Sequence, residues 1–245
     1  LLFFRPTEYR NRKHVIFMLL LIVIFVSLTA LTVNFDLFSI YIIPYTILTI
    51  LIRTFIDSRT ALFASLVTII LSALMVPFSF EFVVLEISAT MVSIFMLKEL
   101  SERSQLIRSS FFILFTYSVV YLGLVMYQEG SVTDVDWVML IYFLINFIFI
   151  MFSYSLVYLV EKSFGFISGV TLVELSNINK PLLKELSEKA PGTFQHSLQV
   201  SNLGMAAAAK LGANASLIRT GALYHDVGKM VNPAFFTENQ TPGMN

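Results

Sequence analysis

Long apolar stretches separated by short polar breaks dominate the first 160 residues of this chain. The first complete stretch, His14 to Val33, runs for twenty residues without Asp, Glu, Lys or Arg. That length suits a helix crossing a hydrocarbon core of about 30 Å. Over the whole chain 57% of residues are hydrophobic, 13% are charged and the mean hydropathy is +0.80, whereas a soluble domain is about one quarter charged. The sequence therefore predicts an all-α fold built on a polytopic membrane helix bundle.

We predict six complete spans, each bounded by charged residues or by proline. Pro44 lies near the middle of the second span and predicts a kink, whereas Pro77 ends the third. Trp137, the only Trp, begins the sixth span, as expected for a side chain at the membrane interface. The predicted spans cover about 14–33, 37–52, 60–76, 82–97, 110–127 and 137–160.

The distribution of basic residues predicts the orientation of these spans. Nine Lys or Arg precede residue 161, and all lie before the first span, between the second and third, or between the fourth and fifth. The alternate connections hold Asp or Glu instead. By the positive-inside rule the three basic segments face the cytoplasm, and six spans return the chain to that side. Residues 1–13 are predicted to be a cytoplasmic basic segment, and its apolar Leu1–Phe4 is either the tail of a preceding membrane helix or an unstructured end.

The last fifty residues hold the only candidate reaction centre that we identify. His196 and His225 lie 29 positions apart, and Asp226 follows the second His directly. Neutral imidazole and carboxylate suit a divalent transition metal. One predicted helix covers Gln195 to Leu211 and ends at Gly212; a second, capped by Asn214, runs to about Val227 and ends at Gly228. Two antiparallel helices would place His196 opposite the His225-Asp226 pair.

The motifs in this region resemble those of a known family. The strings are P-G-T-x-x-H-S from Pro191, L-x-x-x-G-A-L-Y-H-D-V-G-K ending at Lys229, and E-N-Q from Glu238. They resemble the cytoplasmic HD domain of bacterial seven-transmembrane HD proteins, whose characterised members are cyclic di-AMP phosphodiesterases. Members usually carry Ile where this chain has Val227. The resemblance implies an all-α HD domain of which residues 191–245 are the N-terminal part, preceded by linker helices over 161–190.

The resemblance also implies a mechanism and a set of site residues. The chain would hydrolyse cyclic di-AMP to the linear dinucleotide with two divalent transition metal ions, Fe or Mn. His196, His225 and Asp226 would be metal ligands, Asp226 and Lys229 would be catalytic, and Lys229 would also contact a substrate phosphate. The implied location is the bacterial cytoplasmic membrane, with a homodimer as a candidate assembly. The zero formal net charge argues against a nucleic-acid polymer as a partner.

The same family continues past E-N-Q with further His residues and a final Asp, which would complete the second metal site. Because this chain lacks those ligands, we expect it to be inactive by itself. It begins with Leu rather than Met and its last residues follow a Pro-Gly turn, so we also expect that it is a fragment cut at both ends. An alternative is a membrane receptor whose HD segment binds nucleotide without cleaving it. A transporter is disfavoured because no span carries paired charges. Glu86, inside the fourth span, is the single intramembrane carboxylate; we place it near the outer end, within reach of lipid headgroups.

Overall fold

The computed structural model describes residues 11–36, 38–97, 103–130 and 135–240, and within them every regular element is an α-helix or a short 3₁₀ helix. The predicted helix tail at residues 1–4, and the part of the predicted basic loop at 98–102, lie outside these ranges. The chain divides into two compact units, Leu1–Ser168 and Gly169–Asn245. The predicted boundaries at residues 13, 160 and 190 stay predictions.

The described residues of the first unit form six α-helices and one 3₁₀ helix. They are α1 Arg12–Phe35, the 3₁₀ helix Ile40–Ile42, α2 Tyr45–Phe55, α3 Ser58–Ala73, α4 Ser79–Met96, α5 Arg103–Glu129 and α6 Trp137–Phe164. Asp57 and Asp136 cap α3 and α6, because each carboxylate accepts backbone N–H groups in the first turn.

The prediction of six complete spans is wrong. By length and composition, four helices of the described residues qualify as membrane spans, namely α1, α4, α5 and α6. The second and third apolar stretches form shorter helices of 11 and 16 residues, about 16 and 24 Å long at 1.5 Å per residue. Hydropathy alone predicted two full spans here because it does not register where the backbone stops being helical.

Pro44 accounts for the shorter second helix. Proline has no backbone N–H and its ring excludes a continuous helix, so the stretch breaks into a 3₁₀ turn and α2 rather than bending. The break leaves carbonyls without helical partners. The buried Asn146 of α6 donates from Nδ2 to the carbonyl oxygens of Tyr41 and Ile43, at 3.3 and 3.5 Å. Non-helical backbone is tolerated at membrane depth when protein groups satisfy it in this way.

One end of the first unit gathers the start of α1 and the ends of α2, α4 and α6. Lys13 Nζ donates to the Phe164 carbonyl at 3.0 Å, and the Arg53 guanidinium donates to the Leu97 carbonyl. The rings of Phe17 and Phe164 meet edge to face, with centroids 5.1 Å apart. Lys13 and Arg53, two of the basic residues that the sequence assigned to one side of the membrane, therefore lie at one end of the helix bundle.

Residues 169–240 of the second unit form four helices followed by three 3₁₀ turns. They are α7 Gly169–Leu175, α8 Pro181–Lys189, α9 Pro191–Leu211 and α10 Ala215–Tyr224, then Val227–Val231, Pro233–Phe235 and Thr237–Asn239. Its core is formed by Leu183, Leu186, Ala190 and Leu223, all fully buried. The Thr220 hydroxyl donates to the Leu172 carbonyl at 3.0 Å, which joins α10 to α7.

Candidate metal centre

Helix α9 carries His196 on its second turn. The helix begins at Pro191 rather than at the predicted Gln195, because the fixed φ of proline suits the first helical position and its missing N–H needs no partner there. The helix ends as predicted, at Gly212, which adopts a left-handed φ of 67°. His196 is exposed on the helix surface.

Helix α10 delivers His225 and Asp226 at its C-terminal end. Asn214 caps the helix as predicted, its side chain accepting the Leu217 N–H at 2.9 Å. The helix ends at Tyr224, so the predicted end at Val227 is wrong and Gly228 lies within a 3₁₀ turn. The pair therefore occupies the turn between two helical segments, with Asp226 partly buried.

The predicted antiparallel pair brings the three candidate ligands together. One ligand atom from each of His196, His225 and Asp226 lies within 4.8 Å of the others, and the two imidazole centroids are 5.7 Å apart. His225 Nε2 and Asp226 Oδ2 are 3.2 Å apart. That separation is close to the spacing of neighbouring ligand atoms around an ion whose bonds are about 2.0–2.2 Å long.

The hydrogen bonding of His225 leaves its Nε2 atom available to bind a metal. Its Nδ1 lies 2.8 Å from the carbonyl oxygen of Ala222, an oxygen that can only accept, so Nδ1 carries the proton. The lone pair of the neutral ring is then on Nε2, the atom that faces Asp226. A second-sphere carbonyl that fixes the tautomer in this way is a regular feature of metal-bound histidine. The donor set and its tautomer fit a divalent transition metal.

Lys229 lies between two carboxylates. Its Nζ is 2.8 Å from Asp226 Oδ2 and 2.8 Å from Glu238 Oε1. The ammonium also lies over the ring of Phe236, 4.9 Å from its centroid. These hydrogen bonds, first to Asp226 and then to Glu238, raise the pKa of Lys229 above its usual value. Lys229 is therefore a fixed part of the site, oriented towards Asp226.

Sequence reasoning missed the part that Glu238 and Asn239 play. Glu238 accepts hydrogen bonds from Lys229 and from the Thr193 hydroxyl, the latter at 3.1 Å. The bond from Lys229 is the main reason that the pKa of Glu238 falls to about 2. Asn239 accepts the Thr193 N–H at 3.0 Å and donates to the Thr193 hydroxyl at 2.9 Å. The E-N-Q string indicated that these positions matter, but it could not predict which residues they would contact.

Two family descriptions match the chain. The model for the 7TM receptor with intracellular HD hydrolase matches residues 1–168, and the model for the HD domain matches residues 193–244. The first match covers more than half of the 245 residues. The chain belongs to the family of 7TM receptors with an intracellular HD hydrolase. Its second unit thus carries the HD domain that the motifs predicted.

Three relatives are similar to this chain. The cyclic-di-AMP phosphodiesterase PgpH of Listeria monocytogenes is 39% identical over 155 residues, which are 62% of this chain and 22% of PgpH. PgpH of Bacillus subtilis is 32% identical over 208 residues, 82% of this chain and 29% of its own length. An uncharacterized protein of Synechocystis is 39% identical over 135 residues, 53% of this chain and 17% of that protein. The chain thus spans less than a third of the length of these relatives. No solved structure matches it.

Proposed function

We propose that this member of the 7TM HD family is part of a membrane-anchored, metal-dependent phosphodiesterase that hydrolyses cyclic di-AMP to the linear dinucleotide. The observation that carries the proposal is the convergence of His196, His225 and Asp226, with His225 Nε2 lying 3.2 Å from Asp226 Oδ2. The two relatives named PgpH support the substrate. A divalent transition metal held there would lower the pKa of bound water and polarise a phosphoryl oxygen.

The protein groups around the ligands have distinct roles in this proposal. Ala222 holds His225 in the tautomer that leaves Nε2 free. Lys229 orients the Asp226 carboxylate and neutralises part of its charge. An ammonium has three N–H donors, and two of those on Lys229 point to Asp226 and Glu238. The third remains for a phosphate oxygen of the substrate, which is how Lys229 would act in both its predicted catalytic and substrate-binding roles.

We also propose that the HD unit faces the cytoplasm of a bacterial cell and that the membrane part regulates it. The basic residues Arg12, Lys13 and Arg53 support this orientation, because the positive-inside rule assigns them to the cytoplasmic side. The Lys13–Phe164 hydrogen bond supports it too, since it joins the start of α1 to the end of α6, where the chain leaves the bundle. The identities of the metals, Fe or Mn, and the inactivity of these 245 residues alone stay predictions. Nothing on the described part of the chain supports a homodimer.

The decisive experiment uses the longest natural protein that contains this chain, assayed with cyclic di-AMP and Mn²⁺ beside its Asp226→Ala variant. We expect the linear dinucleotide from the unaltered protein, and a rate lower by about 10²–10⁴ in the variant, because a metal supplies several kcal/mol of transition-state stabilisation. His14→Ala is the matched control, since His14 is the one His outside the site. Binding of cyclic di-AMP without product, in a metal-loaded protein, would refute the enzyme and favour the receptor.

A further inference from the structure

A buried carboxylate lies inside the helix bundle of the first unit. Glu86 of α4 has no exposed surface, and it is the only charged side chain among the fully buried described residues. The expectation that it reaches lipid headgroups is therefore wrong. The Tyr117 hydroxyl of α5 donates to Glu86 Oε2 at 2.9 Å. Glu86 Oε1 has no hydrogen-bond partner among the described residues.

Helix α6 packs against Tyr117 and carries a second buried oxygen without a partner in the described part of the chain. The ring of Tyr117 stacks on Phe143, with centroids 5.1 Å apart, and Asn146 lies one turn further along α6. Asn146 uses its Nδ2 group on the broken backbone at Tyr41 and Ile43, but its Oδ1 is buried and has no partner among the described residues.

Helices α2 and α4 close the other sides of this region. The ring of Tyr45 packs against Phe82, with centroids 5.2 Å apart, and Phe82 lies one turn before Glu86 on α4. Thr90 lies one turn after Glu86, and its hydroxyl is also buried without a partner among the residues that the structure describes. Because residues four apart share a helix face, Glu86 and Thr90 lie on the same side of α4.

The chemistry of these groups selects one kind of occupant. Burial makes an unpaired carboxylate charge costly, so an ionised Glu86 needs a positive charge beside it, which the hydrogen bond from the neutral Tyr117 hydroxyl does not supply. The atoms that lack partners are oxygens of a carboxylate, an amide and a hydroxyl, and oxygens are the ligands of hard cations. A single positive charge would balance the one negative charge, whereas a divalent ion would leave a net charge inside the bundle.

We propose that Glu86, Thr90 and Asn146 form an intramembrane binding site for one monovalent alkali-metal cation. The site draws its ligands from α4 and α6, and Tyr117 of α5 positions the carboxylate. Bound cation therefore holds these three helices together, and its loss loosens them. Intramembrane ionisable residues that face a bundle interior commonly mark such ion sites.

The test is thermal unfolding of the 245-residue chain in detergent, titrated with NaCl or KCl against choline chloride at constant ionic strength. Choline is too large to enter the site and controls for salt effects. We expect Na⁺ or K⁺ to raise the unfolding temperature of the bundle by about 5 °C or more at saturation, because a ligand that binds only the folded state stabilises it. The shift should be absent in Glu86→Gln and retained in Glu81→Gln, which removes a partly exposed carboxylate from the same helix.

Two further measurements keep the proposal testable if Glu86→Gln does not fold. Equilibrium dialysis of the unaltered chain with radioactive Na⁺ should give about one bound ion per chain, displaced by excess unlabelled Na⁺. Thr90→Val, which keeps the shape of the side chain, should weaken binding about tenfold for the loss of one ligand. No bound ion, or equal unfolding temperatures in all three salts, would overturn the proposal and leave Glu86 protonated or bonded to water.

Discussion

Gly192 lies where the backbone of Glu238 crosses the first turn of α9. A Cβ at this position would overlap the carbonyl carbon and oxygen of Glu238, and backbone cannot rotate aside as a flexible side chain does. The absence of a side chain lets Thr193 reach Glu238 and Asn239, and Glu238 in turn holds Lys229 against Asp226. Gly192 therefore supports the geometry of the candidate metal centre, although it is not one of the candidate ligands.

We predict that Gly192→Ala destabilises the second unit by about 1–3 kcal/mol, the usual cost of forcing extra volume into a packed contact. Hydrogen exchange at the Thr193 amide, which donates to Asn239, should become faster. Gly221→Ala is the control, because a Cβ there meets nothing within 4 Å. In a helix this second change should leave stability unchanged or raise it by up to about 1 kcal/mol. Unchanged protection of Thr193 in Gly192→Ala would contradict the prediction.

The candidate ligands could be predicted from the sequence, whereas the hydrogen bonds that hold the neighbouring side chains in place could not. The H…HD motif names the three ligands, His196, His225 and Asp226, because imidazole and carboxylate groups suit a divalent transition metal. Glu238 meets Lys229 and Thr193 only because three successive 3₁₀ turns carry the chain back to the start of α9. A path made of short turns has no periodicity from which to predict the contact.

At the scale of elements, the break at Pro44 governs how the second apolar stretch is built. Helix α2 alone is too short to span a bilayer, at about 16 Å. The turn after it nevertheless lies at the same end of the bundle as the start of α1, since the Phe55 and Phe17 rings are in contact with centroids 5.9 Å apart. The 3₁₀ turn and the irregular residues before Tyr45 therefore contribute to the depth that α2 does not cover.

This placement predicts which positions react from the same side of the membrane. The chain has no Cys, so single cysteines can be introduced without removing others. We expect a membrane-impermeant maleimide to label Asn11→Cys and Arg59→Cys from one side, and Phe78→Cys and Glu129→Cys from the other, because the polar breaks alternate between the two ends. All four residues are exposed. If Arg59→Cys is instead labelled from the same side as Phe78→Cys, the prediction is contradicted. Helices α2 and α3 would then begin and end on one side of the membrane without crossing it.

Helix ends that are marked by a capping side chain or by a glycine could be predicted from the sequence. Helix ends that are set by tertiary packing could not. The Asn214 cap and the Gly212 stop were predicted and are confirmed, because each has a local backbone requirement. The end of α10 at Tyr224 was missed by three residues, since apolar periodicity continues through Val227 while the backbone has already turned. The same limit made two short helices look like full spans.

At the scale of the molecule, the sequence was sufficient to predict both the all-α class and the family. Composition indicated the membrane helices, and the motifs indicated the family. Hydropathy separated the membrane bundle from the rest of the chain, and the H…HD motif identified the second unit. The bundle interior was not predictable. Its polar contacts join residues distant in the sequence, such as Glu86 with Tyr117 and Asn146 with Tyr41.

The central claim is that His196, His225 and Asp226 hold a metal, and its most direct test is metal occupancy of the purified 245-residue chain. The chain should be stripped with a chelator, reloaded with Mn²⁺ and measured by mass spectrometry and calorimetry. We predict about one tightly bound ion per chain, affinity lower by about 100-fold or more in His225→Ala and Asp226→Ala, and no change in His14→Ala. Absence of a bound ion, or equal affinity in all four proteins, would contradict the account.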